Sequence, residues 1–219
     1  MLNLDIEVIV SALPFLWQGM QLSLLLTGLA LLGALVLGTL LALLRLSPVR
    51  VLSWLGLIYV NLFRSIPLIL IIFWFYFLVP LIIGRAVGGF YSALIAFTLF
   101  EAAYFCEIIR AGILSISKGQ TEAGLALGLS KRQVMGLIVL PQAFRNMIPI
   151  LLTQSIILFQ DTSLVYVVAL RDFMTAANVI ARREGRLLEL YVFAAVVYFV
   201  LCFVASRAVG RLQKRLANA

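Results

Sequence analysis

The segment Ser117–Pro141, SKGQTEAGLALGLSKRQVMGLIVLP, decides how the rest of the chain is interpreted, because it is polar while the stretches on both sides are strongly apolar. Gly128 stands where a left-handed residue closes a helix. Glu122 is expected in the first turn of that helix, where the helix dipole favours an anion. The segment therefore predicts a helix, a glycine turn and a second helix. Two pairs have the spacing of capping boxes, Ser117 with Gln120 and Ser130 with Gln133.

The composition of the chain is that of a membrane protein. Of its 219 residues, 64% are hydrophobic and 12% are charged, and the mean hydropathy is +1.14. A soluble domain has about 45–50% apolar and about 25% charged residues. The apolar stretches are about twenty residues or longer, as helices crossing a hydrocarbon core of about 30 Å require, and they lack the short alternation of a β-barrel. We therefore expect an all-α integral membrane bundle that forms one domain over residues 1–219.

Other features of the composition argue against several classes of protein. The N-terminal stretch carries Asp5 and Glu7 but no Lys or Arg, so a cleaved signal peptide is not expected. Cys106 and Cys202 lie in apolar stretches without CxxC spacing, and the chain has no His, so we expect neither a disulfide nor a metal site. The net charge of +8 is explained by basic residues that flank apolar spans, so contact with membrane lipid is expected and contact with nucleic acid is not.

The apolar stretches predict five membrane spans, at about 18–44, 52–81, 90–113, 148–170 and 189–209. Residues 1–16 and 171–188 predict two short interfacial helices, the first of which ends near Pro14. Pro67 lies near the middle of the second span, where it would loosen the helix and free backbone groups to face a cavity. A stripe of small residues in the first span either permits close approach of another helix or reflects ordinary membrane-helix composition. The stripe consists of Ala30, Ala34, Gly38 and Ala42.

The distribution of basic residues predicts that the N-terminus lies outside and the C-terminus in the cytoplasm. With this orientation the inner segments, at 45–50, at 110–145 and in the tail, hold eleven of the 17 Lys and Arg residues. The outer segments hold five, of which four lie at 171–186, and that cluster conflicts with the positive-inside rule. The majority of the charges nevertheless places the Ser117–Pro141 segment on the cytoplasmic side.

Three ionisable residues, Arg64, Glu101 and Asp161, lie deep inside predicted spans. A charge at that depth costs at least about 2.5–3.5 kcal/mol, so these residues are candidates for a functional role. The alternative is that they neutralise one another and hold the bundle together. Glu107 and Arg110 lie three residues apart near the inner end of the third span, and we interpret them as a structural ion pair.

The Ser117–Pro141 segment resembles the EAA loop of ABC-importer permeases. That pattern is EAA, three residues, Gly, nine residues and I-x-L-P, and the spacing here matches it throughout. The single departure is Gly124 in place of the second alanine, which costs about 1 kcal/mol of helix propensity. The matching residues are Glu122, Ala123, Gly124, Gly128, Ile138, Leu140 and Pro141.

This resemblance implies a permease subunit whose EAA loop is a coupling helix that docks on a cytoplasmic ATP-binding subunit. It also implies a second permease subunit, identical or related, and an extracytoplasmic amino-acid-binding protein. ATP and Mg would be used by the partner, because this sequence has no G-x-x-x-x-G-K-[ST] phosphate loop. We therefore expect a translocation subunit of a bacterial inner membrane, with no catalytic residues and no cofactor of its own. Arg182, Arg183 and Arg186 would face outward, either towards the binding protein or towards solvent and lipid headgroups.

Further segments resemble the polar amino-acid permeases, namely NLFRSIPL at 61–68, FEAAYFCEIIRAG at 100–112 and FQDTSL at 159–164. Two of them, extended to YVNLFRSIPL and LFQDTSLVYV, are most similar to the glutamate/aspartate permeases. Import of glutamate or aspartate is therefore expected, with glutamine or a basic amino acid as the alternative. A self-sufficient secondary transporter is a second alternative, although the inverted repeats typical of that class are not evident in five spans.

The charged residues of the spans suggest a path for such a substrate. Arg64 would bind a substrate carboxylate, and Asp161 or Glu101 would accept hydrogen bonds from its ammonium group. Thr162 and Ser163 would supply hydroxyl groups beside Asp161. These five residues are the candidate substrate path.

Overall fold

The computed structural model describes residues 6–217, so the acidic residue Asp5 lies outside the described residues. Most of the described chain is helical. The helices are α1 Ile6–Arg45, α2 Arg50–Arg64, α3 Leu68–Phe73, α4 Val79–Ile83, α5 Gly89–Leu114, α6 Lys118–Ala126, α7 Lys131–Val134, α8 Leu140–Asp161, α9 Phe173–Arg183 and α10 Leu187–Ala217. Wider π-helical turns occupy Trp74–Leu78 and Met135–Val139, and a tighter 3-10 helix occupies Thr162–Val168.

Four helical stretches among the described residues are long and apolar enough to cross a membrane, and a fifth crossing results if the bent pair α2 and α3–α4 is one span. The stretches are Glu7–Arg45, Gly89–Leu114, Lys131–Val168 and Leu187–Leu216. This arrangement confirms the expected all-α membrane bundle of about five spans. The short helix expected in 171–188 is also present, as α9.

The predicted helix end near Pro14 is wrong, because α1 continues through this residue for 40 residues in all. A proline removes one backbone hydrogen bond from a helix. In lipid, however, the remaining backbone groups have no better partner than the helix itself, so membrane helices tolerate the loss. Ala12 and Leu16, on either side of Pro14, are both buried in the same hydrophobic cluster and hold the helix across it.

At Pro67 the effect of a proline is stronger than expected, since the second span is interrupted rather than loosened. Helix α2 ends at Arg64, and the N–H of Ser65 closes it by bonding the carbonyls of Asn61 and Leu62. Pro67 then stands in an extended conformation at the N-cap of α3. The steric restriction that proline places on the residue before it accounts for the break.

The chain divides into two compact units built from interleaved segments. The first unit contains residues 6–32, 66–98 and 155–206. A hydrophobic cluster joins the first half of α1 to α9 and α10, so the polar segment 171–188 buries an apolar face within the protein. The buried residues of this cluster are Ala12, Leu16, Met20, Phe159, Phe173, Ala176, Ala177, Ile180, Ala181, Leu190, Ala194 and Cys202.

The start of α9 is fixed to α1 by close packing and capping. A Cβ on Gly19 would lie 2.7 Å from the carbonyl oxygen of Asp172, so only glycine permits this approach. The buried Asp172 carboxylate accepts hydrogen bonds from the N–H groups of Met174 at 3.0 Å and Thr175 at 2.9 Å. Ser23 of α1 accepts a hydrogen bond from the N–H of Phe173 at 3.1 Å. Burial raises the pKa of the Asp172 carboxyl above its usual range, although these hydrogen bonds act in the opposite direction.

The second unit contains residues 33–65, 99–154 and 207–217. Its core packs the second half of α1 against α2, α5 and α8, and the buried residues are Leu41, Ala42, Val60, Ala102, Ala103, Cys106, Ile109 and Met147. A Cβ on Gly38 would lie 2.7 Å from the Phe105 Cβ and 3.0 Å from the Ala102 carbonyl oxygen. The small residues of α1 therefore do allow close approach of another helix, which is α5 in this unit.

This contact predicts different effects for two glycine substitutions in α1. Gly38→Ala would force α1 and α5 apart, at a cost of about 1–3 kcal/mol for an overpacked contact. A Cβ on Gly28 has no atom within 4 Å, so Gly28→Ala is the matched control. We expect Gly38→Ala to lower the midpoint of thermal unfolding in detergent while Gly28→Ala leaves it unchanged or raises it. Equal midpoints for the two variants would contradict the close contact between α1 and α5.

Candidate coupling loop and charged residues of the spans

The turn between α6 and α7 is a glycine-centred helix cap, as the sequence predicts. Gly128 has φ +82°, in the left-handed region that favours glycine. Its N–H bonds the carbonyl of Leu125 at 3.0 Å, and the N–H of Leu129 bonds the carbonyl of Gly124 at 3.2 Å. These two bonds together form a Schellman motif, which satisfies the last carbonyls of α6 and fixes the direction in which the chain leaves it.

Only one of the two expected capping boxes forms. The hydroxyl of Ser130 accepts from the N–H of Gln133 at 3.3 Å, and the Gln133 side chain accepts from the N–H of Ser130 at 2.9 Å. Ser117 occupies the N-cap position of α6, but its side chain makes no capping bond, so the box predicted there is wrong. The reason is that the N–H of Gln120 bonds the main-chain carbonyl of Ser117 at 3.1 Å instead.

Glu122 is the fifth residue of α6, so its predicted place in the first turn of the helix is also wrong. The helix begins at Lys118, and the influence of the helix dipole on a charge fades beyond the first turn. Glu122 and Ala123 are both exposed, whereas Gly124 is buried. The EAA residues therefore place Glu122 and Ala123 on the outside of the hairpin and Gly124 on its inside.

The departure from the EAA pattern at Gly124 has a packing explanation. A Cβ on Gly124 would lie 2.7 Å from Ile138 Cδ1 and 2.9 Å from Val134 Cγ2. Ile138 belongs to the I-x-L-P part of the pattern, so the two ends of the EAA loop meet at this position. The space that an alanine methyl would fill is occupied by branched side chains from the second arm of the hairpin.

The second arm runs into the membrane without a loop. The π-helical turn Met135–Val139 leads into α8, which begins at Leu140. Pro141 lies directly after this π-helical turn, inside a continuous helical stretch, and it has no N–H to donate to a carbonyl of the preceding turn. The hairpin is thus continuous with one of the long apolar stretches, Lys131–Val168. A displacement of the hairpin can be transmitted along that stretch.

The hairpin exposes several large apolar side chains, and Leu127, immediately before the Gly128 turn, is the most exposed of them at 82%. The others are Leu125, Met135 and Leu137. Leu127 is therefore our candidate for an apolar contact with another protein.

Arg64 and Glu101 both lie in the second unit. The guanidinium of Arg64 lies 5.2 Å from the centre of the Tyr104 ring, within the range of a cation–π interaction, and the residue is exposed at the end of α2. Glu101 is fully buried in α5. The side-chain amide of Gln154 donates to its two carboxylate oxygens at 3.0 and 3.3 Å. Gln154 was not among the predicted site residues, although a polar residue in an apolar span is a signal for such a contact.

Asp161, Thr162 and Ser163 lie in the first unit, where α8 ends and the 3-10 helix begins. Asp161 and Ser163 are partly buried. Thr162 is fully buried, and its hydroxyl donates to the carbonyl of Phe159 at 2.7 Å. Each group of the candidate substrate path is therefore located within its own unit, and the path that would join them remains a prediction.

The expected Glu107–Arg110 pair is present, with an Nη2–Oε2 distance of 2.8 Å. A third member of this cluster, Arg45 at the end of α1, was not predicted; its Nη1 lies 2.6 Å from Glu107 Oε1. Arg45 and Glu107 are 62 positions apart, and local spacing carries no signal for such a contact. One carboxylate is therefore shared by two guanidinium groups, and the cluster keeps a net positive charge.

The arginines of the 171–186 cluster have local partners. Arg182 donates to the side chain of Asn178 at 3.0 Å. Arg183 pairs with Glu184 at 2.8 Å, and Arg186 pairs with Glu189 at 3.1 Å. Arg183 and Arg186, two of the four cations at 171–186 that conflict with the positive-inside rule, are thus partly neutralised by neighbouring carboxylates.

The whole chain is similar to known transport proteins. The family model described as binding-protein-dependent transport system inner membrane component matches residues 34–218. The glutamate/aspartate import permease protein GltK of Escherichia coli O6:H1 is 48% identical over 224 residues, which cover 99% of this chain and 100% of GltK. The probable glutamine ABC transporter permease protein GlnM of Bacillus subtilis is 37% identical, over 99% of this chain and 100% of the relative.

A solved structure shows the same fold. The chain superposes with a TM-score of 0.92 and 27% identity on a chain from the crystal structure of an amino acid ABC transporter with histidines, over 98% of this chain and 100% of that one. The family is thus one of permease subunits of ABC importers, in which ATP is hydrolysed by a separate subunit. With its membrane-spanning helices, its EAA hairpin and these similarities over nearly its full length, the chain belongs to the family of binding-protein-dependent transport system inner membrane components.

Proposed function

We propose that this chain is the permease subunit of an ATP-driven importer of glutamate and aspartate. The observation that carries the proposal is the 48% identity with GltK over the full length of both proteins. Relatives with other named substrates are less similar, at 37% for the glutamine permease GlnM and 33% for the arginine permease ArtQ of Bacillus subtilis. An exposed arginine in a membrane span, Arg64, also suits an anionic substrate better than a basic one.

The hairpin Ser117–Pro141 is the part of the chain that would contact the ATP-binding subunit. Its outer surface presents the carboxylate of Glu122 and the exposed side chain of Leu127, while its inner surface is closed by Gly124 against Val134 and Ile138. A short element with a fixed turn can transmit a rigid-body displacement. ATP and Mg would be bound by the partner, and this chain would respond through the hairpin.

The proposed orientation has the N-terminus outside and the C-terminus in the cytoplasm. It is supported by the eleven basic residues that it places on the inner side. The hairpin then faces the cytoplasm, where the ATP-binding subunit is expected. The 171–186 segment faces outward, where the extracytoplasmic binding protein would dock beside Arg182, Arg183 and Arg186.

A second permease subunit, identical or related, would complete the substrate path. Arg64 is exposed in this chain although it lies within the second span, and a charge at that depth does not face lipid at low cost. A neighbouring permease or a water-filled path would provide its surroundings. Arg64, Glu101, Asp161, Thr162 and Ser163 remain our candidates for contact with the substrate.

The coupling role predicts that Glu122→Lys abolishes uptake while leaving membrane insertion intact. The charge reversal lies on the exposed face of α6, so it disturbs a docking surface and not the fold. We expect the ATP-binding subunit to be lost from the purified complex, and uptake into proteoliposomes to fall more than about tenfold, as a loss of 1.4 kcal/mol or more produces. Gln213→Lys, a change at an exposed residue of the tail, is the control and should retain both the ATP-binding subunit and uptake. Normal co-purification and uptake in Glu122→Lys would remove the coupling role.

The substrate proposal predicts that Arg64→Gln lowers the ratio of glutamate uptake to glutamine uptake. A hydrogen bond to a charged group is worth about 1.5–3 kcal/mol, so a loss of about tenfold in this ratio is expected. Arg64→Lys keeps the charge and should retain most of the preference. An unchanged ratio in Arg64→Gln would remove the substrate role of Arg64 and leave only its structural contact with Tyr104. Glutamate uptake by the wild-type protein tests the identity of the substrate separately.

A further inference from the structure

A cleft of about 280 Å³ lies in the second unit, at the corner where α1 ends and α2 begins. It opens at the end of the first membrane-spanning stretch, so it lies near one surface of the bilayer. None of the residues that line it belongs to the Ser117–Pro141 hairpin or to the candidate substrate path. It is lined by Arg45, Ser47, Pro48, Arg50, Ser53, Trp54 and Leu57.

The cleft has an excess of positive charge. The Arg50 side chain is exposed and makes no hydrogen bond or ion pair with another residue in the range 6–217. Arg45 forms part of the lining, and its aliphatic stem is held against α2, where a Cβ on Gly56 would lie 3.0 Å from Arg45 Cδ. The Glu107 carboxylate that binds Arg45 is shared with Arg110, so it does not cancel both cations. The balance of charge at this corner therefore favours an anionic ligand.

One of the two serine hydroxyl groups in the cleft has a proton that is available for a hydrogen bond to a ligand. Ser47 accepts a hydrogen bond from the N–H of Val49 at 3.2 Å, which leaves its own proton free to bind an oxyanion. Ser53 donates to the main-chain carbonyl of Arg45 at 3.1 Å, so its proton is already used. Arg50 and Ser47 can therefore both donate to a bound anion without losing an existing partner.

The surface beside the cleft is apolar. Trp54 is 61% exposed, and Val51, Leu55 and Ile58 of the same helix are exposed as well. Tryptophan at the end of a membrane span is typical of the interface between headgroups and acyl chains. A soluble anion would contact the arginines and leave this apolar face uncovered. A lipid would contact the arginines with its headgroup and the apolar face with its acyl chains.

We propose that this cleft binds the phosphate headgroup of an anionic phospholipid. The phosphate oxygens accept hydrogen bonds from the Arg50 guanidinium and the Ser47 hydroxyl, with the Arg45 guanidinium as a second, partly neutralised cation. The acyl chains lie along the exposed face of α2 beside Trp54. This proposal does not depend on the identity of the transported amino acid.

Native mass spectrometry of the purified protein in detergent, with its co-purifying subunits, tests this site. The probes are dioleoylphosphatidylglycerol, dioleoylphosphatidylcholine and inorganic phosphate. The variants are Arg50→Gln and Ser47→Ala, with Arg85→Gln as the matched control, because Arg85 is another exposed arginine in a turn at the end of a span. The midpoint of thermal unfolding is recorded for each variant, so that a loss of folding is distinguished from a loss of binding.

We expect the wild type to bind phosphatidylglycerol more tightly than phosphatidylcholine. Arg50→Gln should weaken binding of phosphatidylglycerol about fivefold, the effect of one basic residue near a charged lipid surface. Ser47→Ala should weaken it less, and Arg85→Gln should leave it unchanged. An equal loss in Arg85→Gln would overturn the site in favour of a general effect of charge. Equal binding of the two lipids, or displacement of phosphatidylglycerol by millimolar phosphate, would overturn the assignment to an anionic lipid.

Discussion

A polar group inside a bilayer must find its partner within the protein, because lipid offers none, and this constraint shapes most of the structure. Glu107 lies within a membrane-spanning helix and is bound by Arg45 and Arg110, so three charged groups from two helices reduce their cost together. Glu101 is fully buried, and its carboxylate accepts hydrogen bonds from the side-chain amide of Gln154. These contacts also connect helices of the second unit. The Arg45–Glu107 pair joins α1 to α5, and the Gln154–Glu101 hydrogen bonds join α8 to α5.

The same constraint determines where the helices can be interrupted. At Ser65–Pro67 the chain leaves the helical path, and the N–H of Ser65 closes α2 before the break. The hairpin Ser117–Pro141 closes the end of α6 at Gly128 and the start of α7 at Ser130. The hydrogen bonds that fix its turn therefore lie within the hairpin itself. It can therefore act as a rigid element that presents Glu122 and Leu127 to another subunit.

Local patterns predicted most of the local features, although the capping box at Ser117 did not form, and they failed where the outcome depends on distant residues. The Gly128 turn and the Ser130 cap follow from short spacing, and the α5 span follows from a continuous apolar stretch. The failure at Pro14 has a tertiary cause, since packing of Ala12 and Leu16 carries α1 through the proline. Arg45 was missed as a partner of Glu107 because the two residues meet only after the helices pack. Glu122 lies outside the first turn because α6 begins at Lys118. It is nevertheless exposed, as the proposed coupling role requires.

The central claim is that the hairpin docks on the ATP-binding subunit in the cytoplasm, while the substrate reaches the permease from the opposite side of the membrane. Uptake of labelled glutamate by proteoliposomes holding the complete transporter, in which ATP and the binding protein can be supplied separately on each side, tests this claim most directly. The account predicts uptake only when ATP is on the side of the hairpin and the binding protein with glutamate is on the other. Uptake without ATP, or with both components on one side only, would contradict it.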